Sequence, residues 1–239
     1  MVTPAMAACL RSLGGSGPEH PTGPEHRTGL AALASSTVAA VLGVTGIGAS
    51  VALRRVDRGP TLAWGDDPVS RRLSDLQFTL GEGPAIDASE HGLAVFAPDL
   101  GDVSASRWSA FTAEAIGLGV RAVFALPLQI GAIRAGALVM HRLTAGPLSP
   151  TALKDAQAFA DAVTSTILSA EAGTQLTVCD LVDQQMIVFQ ATGMISIQLA
   201  VDLAEALARL RAHAYGANKT VSEVAADVVA RRLRFDRLR

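Results

Sequence analysis

Apolar residues recur along this chain with two different periods. Leu30–Leu42 is rich in Ala and Leu and predicts a helix, broken by glycines at 43, 46 and 48. Ala49–Val56 reads as a strand, and Gly59-Pro60 turns the chain into a second short strand ending near Trp64. Asp67-Pro68 opens a helical stretch through Phe78, and Gly81-Glu82-Gly83-Pro84 must be a loop. Leu93–Ala97 predicts a short buried strand. In Ser104–Leu118, residues Trp108, Phe111, Ala115 and Leu118 follow helical spacing. Arg121–Gln129 and Ala132–Leu143 are apolar strands around a tight turn at Gly131, and Ser149-Pro150 starts a helix running to about Ala172. Strands that come in hairpin-like pairs between helices predict an antiparallel sheet with flanking helices, an α+β fold.

From Thr177 onward the strand pattern is gone. Asp180–Gln198 reads as one helix. Asp202 is a predicted N-cap with Glu205 in capping-box position, and Leu203, Ala206, Leu207, Leu210 and Ala214 follow on one stripe that Gly216 ends. Thr220 and Glu223 form a second capping box before Val221, Val224, Ala225 and Val228. The C-terminal part is thus an all-α three-helix unit. At about sixty residues such a unit has little core of its own, so docking or dimerisation is expected.

Residues 1–28 hold four Gly and four Pro and predict a disordered tail. The expected domains are therefore 1–28, 29–172 and 173–239. With 49% apolar and 18% charged residues the chain can fill a core. Residues 28–53 carry no charge, but their Ser, Thr and Gly content favours a helix, a turn and a strand over a membrane span. The start lacks a basic n-region and a long apolar run, so no secretory signal is expected. Cys9 and Cys179 are the only cysteines, which excludes a disulfide scaffold and fits a reducing cytoplasm. Charge is uneven. Arg209–Arg239 holds eight Lys/Arg against three Asp/Glu, a net +5, whereas residues 1–208 hold twelve against nineteen, a net −7. A basic end on an acidic body points to a polyanion partner.

No catalytic constellation stands out: G-x-S-x-G, the phosphate-binding loop G-x-x-x-x-G-K-[ST], G-x-G-x-x-G and H-E-x-x-H are all missing. No enzyme activity, cofactor or metal is expected. The five histidines are scattered; His141, in an apolar strand, reads as a hydrogen-bonded structural residue or a ligand contact. Asp66-Asp67 fits a helix start, where negative charge is favoured. Of the aromatics, Phe96 and Phe124 read as core, while Trp108 and Phe111, and with them Phe78, are either core or lining of a small-molecule pocket.

Two stretches resemble known families. Residues 30–172 resemble a GAF domain, through Leu80-Gly81-Glu82-Gly83-Pro84-Ala85, the short strand ending at Pro98-Asp99, and the last strand pair before a long helix. Residues 180–235 resemble an ANTAR domain, the RNA-binding output module of bacterial antiterminators. That resemblance rests on Gln190-Ala191-Thr192-Gly193-Met194-Ile195, Glu205-Ala206, Leu210-Arg211-Ala212-His213-Ala214 and Val221-Ser222-Glu223-Val224-Ala225.

The resemblance implies a cytoplasmic, homodimeric, signal-responsive transcription antiterminator. Its GAF part would sense a small molecule or partner through Trp108, Phe111, Phe78 and His141. Its ANTAR part would bind leader hairpins in RNA, with no membrane involved. The candidate RNA contacts are Ala191, Gly193, Arg209, Arg211, Tyr215 and Lys219. Each has a plainer reading beside it: helix packing for Ala191, a rim position for Tyr215, a solvated charge for Arg209. ANTAR sequences often carry a basic residue where this chain has Thr192. The arginines from 231 to 239 fit either RNA contact or helix-end capping. The cyclic-nucleotide pattern of some GAF domains is absent, and so is the cysteine cluster of the sulfoxide-reducing ones. The alternative is a non-enzymatic interaction module whose C-terminal helices dimerise or dock on a regulatory protein.

Overall fold

The alternating strands pair into one antiparallel sheet in a computed structural model that describes residues 2–14, 30, 33–51, 61–65, 67–104, 106–171 and 179–236. The strands are β1 (Gly46–Val51), β2 (Thr61–Trp64), β3 (Val95–Ala97), β4 (Ala122–Ile130) and β5 (Ile133–Arg142), in spatial order β2-β1-β5-β4-β3. The helices are α1 (Pro4–Gly14), α2 (Ser35–Leu42), α3 (Pro68–Leu80), α4 (Pro84–His91), α5 (Ser109–Gly117), α6 (Pro150–Glu171), α7 (Cys179–Leu199), α8 (Leu203–Gly216) and α9 (Val221–Val229). The uncharged run of residues 28–53 becomes α2 and β1 where it is described. Among the described residues, no single helix is long and apolar enough to cross a membrane.

Successive side chains of a strand point to opposite faces, and here the two faces differ in size. One carries Ile47, Phe124, Leu126, Leu128, Leu138 and Met140, buried against α1, α2 and α6 around Phe159. The other carries Val123, Ala125, Ala137 and Val139, with Val95 and Ala97 of β3, and packs on α3, α4 and α5 around Phe111 and Trp108. A third core lies between α7, α8 and α9, built from Val188, Ala191, Ile195, Leu210, Val224, Val228 and their neighbours.

Four sequence expectations change. Residues 4–14 are not part of a disordered tail: α1 buries Met6, Cys9 and Leu13 in the first core. Thr3 donates through its backbone N–H and its hydroxyl to the buried Asp155 of α6. Gly46 and Gly48 do not end the preceding helix but run inside β1; Gly43 alone caps α2, in the left-handed region. Close packing explains Gly46, because a Cβ there would overlap the His141 ring and the Asp67 carboxylate. The predicted helix over 104–118 begins only at Ser109, because Trp108 takes a left-handed conformation with φ 52°. Phe96, expected in the core, sits on the edge strand 43% exposed, its ring 6.1 Å from that of Phe124. Positions 52–60, which hold the end of the first predicted strand and the Gly59-Pro60 turn, lie outside the described residues, as do 15–29.

The Gly81–Pro84 loop is a junction of three helices. Gly81 caps α3 with φ 69°, and Pro84 opens α4, a helix that the sequence pattern does not reveal. Buried Gln77 on α3 accepts a hydrogen bond from Ala85 N–H at 2.6 Å, and its amide donates to Leu73 O at 3.2 Å. Glu82 Oε1 accepts from Ala110 and Phe111 N–H at 2.9 and 3.0 Å, so one carboxylate satisfies two orphan donors at the start of α5.

Two measurements check this architecture. Met6→Ala should lower the unfolding free energy by about 2 to 5 kcal/mol, the range for a truncated core side chain; an unchanged urea midpoint would mean that α1 adds nothing to the core. Glu82→Ala should cost about 1 to 2 kcal/mol, the upper part of the range for a lost helix cap, whereas a neutral result would show that water replaces the carboxylate.

Candidate functional site

Two places bring together residues that the sequence singles out. The first is a polar seam between α3 and the sheet. Asp67 caps α3 by accepting from Ser70 N–H at 2.7 Å, and Pro68 in the first turn gives up no needed donor. This orientation turns Ser70, Leu73, Ser74 and Gln77 toward the small-residue face of the sheet. They meet Gly48, Ser50 and Val139 around a cavity of about 10 Å3, space for a single water. Ser50, Ser70, Ser74 and Gln77 are all buried, so the lining offers three hydroxyls and an amide with no fixed charge.

His141 lies at the end of this seam, 1% exposed. Its Nδ1 is 3.4 Å from Ser70 Oγ and its Nε2 is 4.0 Å from Asp67 Oδ1. Burial pushes the imidazole pKa below its ordinary value, and the nearby Asp67 carboxylate opposes that shift. Asp67 Oδ2 is buried without a hydrogen-bond partner. The cavity lining is thus uncharged, with one unpartnered carboxylate oxygen at its His141 end that calls for a hydrogen-bond donor. Among the described residues, no cluster of three or more His, Cys, Asp or Glu side chains could hold a metal ion.

The other three predicted pocket residues lie elsewhere. Phe111 is fully buried, edge-on to Trp108 at 6.3 Å, in the second core. Trp108 is 5% exposed; its Nε1 donates to Asp87 Oδ2 at 3.1 Å, and Arg107 covers its ring at 4.1 Å. Phe78 points away from the seam and packs against the core of α7–α9. The seam lining of serines and Gln77 was not singled out from the sequence, because small polar residues at helical spacing carry no recognisable motif.

The second place is the outer surface of the C-terminal helices. Asp202 caps α8 through Glu205 N–H at 2.8 Å, and Glu205 then pairs with Arg209 at 2.7 Å instead of closing a capping box. Thr220 and Glu223 do close one at α9, and those bonds hold the Glu223 carboxyl below its usual range. Lys219, in the turn between these helices, reaches Asp227 at 3.0 Å, and Arg232 reaches the same carboxylate at 2.8 Å. The two cations hold Asp227 below the ordinary carboxylate pKa. Lys219 also acts on the Glu223 carboxylate, so these two bases are matched by two acids, and the positive charge of this surface is carried by Arg231 and Arg234, exposed close by in sequence. The chain beyond α9 folds back, with Phe235 edge-on to His213 at 5.3 Å and its N–H bonded to Gln198 Oε1 at 3.0 Å. That return packs Leu233 and Phe235 against the three-helix core.

Of the remaining predicted RNA contacts, Tyr215 is 50% exposed at the end of α8. Gly193 faces open space: a Cβ there would meet nothing within 4 Å. Ala191 is fully buried in the three-helix core, and Thr192 beside it is buried too, its hydroxyl donating to Val188 O at 2.7 Å. Arg211 is half-buried and turned toward the first domain: its guanidinium lies 5.4 Å from the centre of the Phe78 ring.

No protein-family model matches the chain, and no curated protein matches it. Solved structures do. The GAF domain of a phosphoenolpyruvate-protein phosphotransferase from Coxiella burnetii superposes with a TM-score of 0.53 at 16% identity, over 73% of this chain and 100% of that one. The GAF domain of the Acinetobacter phosphoenolpyruvate-protein phosphotransferase gives 0.50 at 13% identity, over 72% and 95%. At these identities the likeness establishes architecture alone: the five-stranded sheet and the helices on its two faces are a GAF fold.

Proposed function

We propose that this chain is a cytoplasmic, non-enzymatic regulator in which the GAF-fold part senses a small polar molecule or a partner and the C-terminal three-helix unit binds hairpin RNA as an antiterminator, acting as a homodimer. The observation that carries the RNA half is the surface at the α8–α9 turn. There, Lys219 and Arg232 converge on a single carboxylate, Arg231 and Arg234 are exposed, and Tyr215 is half-exposed at the end of the preceding helix. Cations that hold phosphates, together with an aromatic that stacks on an unpaired base, are the two components of RNA-loop recognition. Arg209, exposed on α8 and paired with Glu205, is a further candidate phosphate contact. The resemblance of residues 180–235 to ANTAR domains supplies the class of target. Ala191 enters this reading through helix packing, not contact.

The sensing half rests on the seam. Its hydroxyls and its amide can recognise a small uncharged ligand by hydrogen bonds, at the cost of opening the present cavity. A protein-docking role for the C-terminal unit has one observation in its favour: Ile197 on α7 is 84% exposed.

Salt separates the two readings. The full chain is titrated with a synthetic twin-hairpin RNA in a filter-binding assay at several salt concentrations. Affinity should fall steeply with salt, and Lys219→Ala and Arg232→Ala should each flatten the log–log slope by about one, as expected for a lost phosphate contact. Tyr215→Ala should weaken binding by about 1 to 3 kcal/mol with the slope unchanged. Salt-independent binding, or none, alongside a folded dimer would favour protein docking through the apolar face.

A further inference from the structure

Helix α3 has two working sides. One side supplies Ser70, Ser74 and Gln77 to the seam. The next residue, Phe78, is partly buried and packs against the C-terminal core. Arg211 of α8 closes over the end of the same helix. Its guanidinium sits by the Phe78 ring, and it approaches the Gly81 cap so tightly that a Cβ at that position would stand 3.0 Å from Nη1. The charges of α9 also face α3. Arg72 attracts Glu223, while Asp75, whose carboxyl is raised in pKa by desolvation against the pull of Arg72, is repelled by Glu223.

Arg211 and Tyr215 are one helical turn apart and share a flank of α8. The end of that flank at Tyr215 is open to solvent, while Arg211 is half-buried against Phe78 and the Gly81 cap at the end of α3. An RNA lying along the flank would meet the first domain before it met Arg211. We infer that the packing of α8 on the end of α3 is an autoinhibitory clasp, which withholds the Arg211 flank from RNA until the GAF-fold part releases it. The inference rests on the RNA reading above.

The composition of the contact suits a reversible device. Among the described residues, α3 meets α8 and α9 through a partly buried ring, a guanidinium and a mixed set of charges, and α7 also touches β2, whereas α7–α9 hold a core of their own. The trigger is also placed by the structure. Gln77 lines the seam and pins α4 through Ala85, and Phe78 follows it directly, so a group that enlarges the seam must displace the helix that carries the clasp. A ligand shifts such an equilibrium only by binding the two arrangements unequally, and a seam with space for one water is filled differently when α3 moves.

The test uses the full chain and two variants. Phe78→Ala removes the ring that Arg211 covers. Arg72→Glu leaves the apolar packing intact and turns an attraction to Glu223 into a repulsion. Amide hydrogen exchange reads docking at residues 77–82 and 208–216, circular dichroism reads folding, and filter binding to the twin-hairpin RNA reads release. Both variants should exchange faster in both segments and bind RNA at least about five-fold more tightly. For Arg72→Glu that gain would come despite an added negative charge, so it is the decisive variant if Phe78→Ala loses structure. Faster exchange with RNA affinity unchanged would overturn the clasp while leaving RNA binding standing. Exchange unchanged in a folded Arg72→Glu would overturn it as well, because α8 would then be held by other contacts. No RNA binding by any of the three proteins would remove the RNA reading and the clasp with it.

Discussion

The placement of α3 against the sheet is the constraint on which the rest of this molecule depends. Its N-terminal turn is fixed by Asp67, in contact range of Gly46, and its C-terminal turn by the buried amide of Gln77. A buried amide that lost either bond would leave a polar group unsatisfied, which costs about 1 to 3 kcal/mol, so Gln77 holds α3 in one register. From that register follow the start of α4 at Pro84, the reach of Glu82 to the first turn of α5, and the exposure of Phe78 to the C-terminal helices. The small residues on the α3 face of β1 permit the approach. A bulky side chain at Gly46 would push α3 outward and dissolve the seam.

Much of the fold was legible because it is encoded locally. Asp67, Asp202 and Thr220 are caps whose donors lie three residues away, and each is found bonded there. The long strands β4 and β5 alternate between the two faces as their residues predict. The errors lie where a local signal is ambiguous or diluted. The apolar residues of α1 lie beside a Gly/Pro-rich run whose composition masks their helical period. α4 leaves no such signal, because Gly-Glu-Gly-Pro punctuates a turn whether or not a helix follows. Gly46 and Gly48 read as breakers because glycine weakens a strand in general, whereas both lie inside β1 and at Gly46 the constraint is the imidazole of His141 and the carboxylate of Asp67 packed against it.

The functional residues were less legible, for a related reason. Aromatic side chains attract attention as pocket lining, but Trp108 and Phe111 are consumed by the second core and Phe78 by the third. The seam is instead lined by serines, each unremarkable in sequence and brought together only by the register of α3 on β1. The clustering of Lys219 and Arg232 on Asp227 was hidden in the same way: its partners are eight and five residues away, across a turn and past a helix end. Charge counting located the basic end of the chain, but the return of residues 230–236 over the helices requires the Phe235 contact with His213 and Gln198.

Linkage binds the two ends of the proposed regulator more tightly than proximity alone would. If occupancy of the seam weakens the hold of α3 on α8, RNA on α8 must strengthen occupancy of the seam by the same factor, because both act on one docking equilibrium. The size of that factor is bounded by the free energy of the clasp. The cation–aromatic contact contributes about 0.5 to 1 kcal/mol, flanking surface charges add similar or smaller amounts, and the partly buried Phe78 ring adds apolar burial to both. A contact worth about 1 to 3 kcal/mol shifts populations by about 5- to 150-fold. The arrangement therefore suits a graded sensor, one that adjusts RNA affinity around a working level. A much stiffer interface would lock the output closed and demand from a small neutral ligand more binding energy than a seam of three hydroxyls and one amide can deliver.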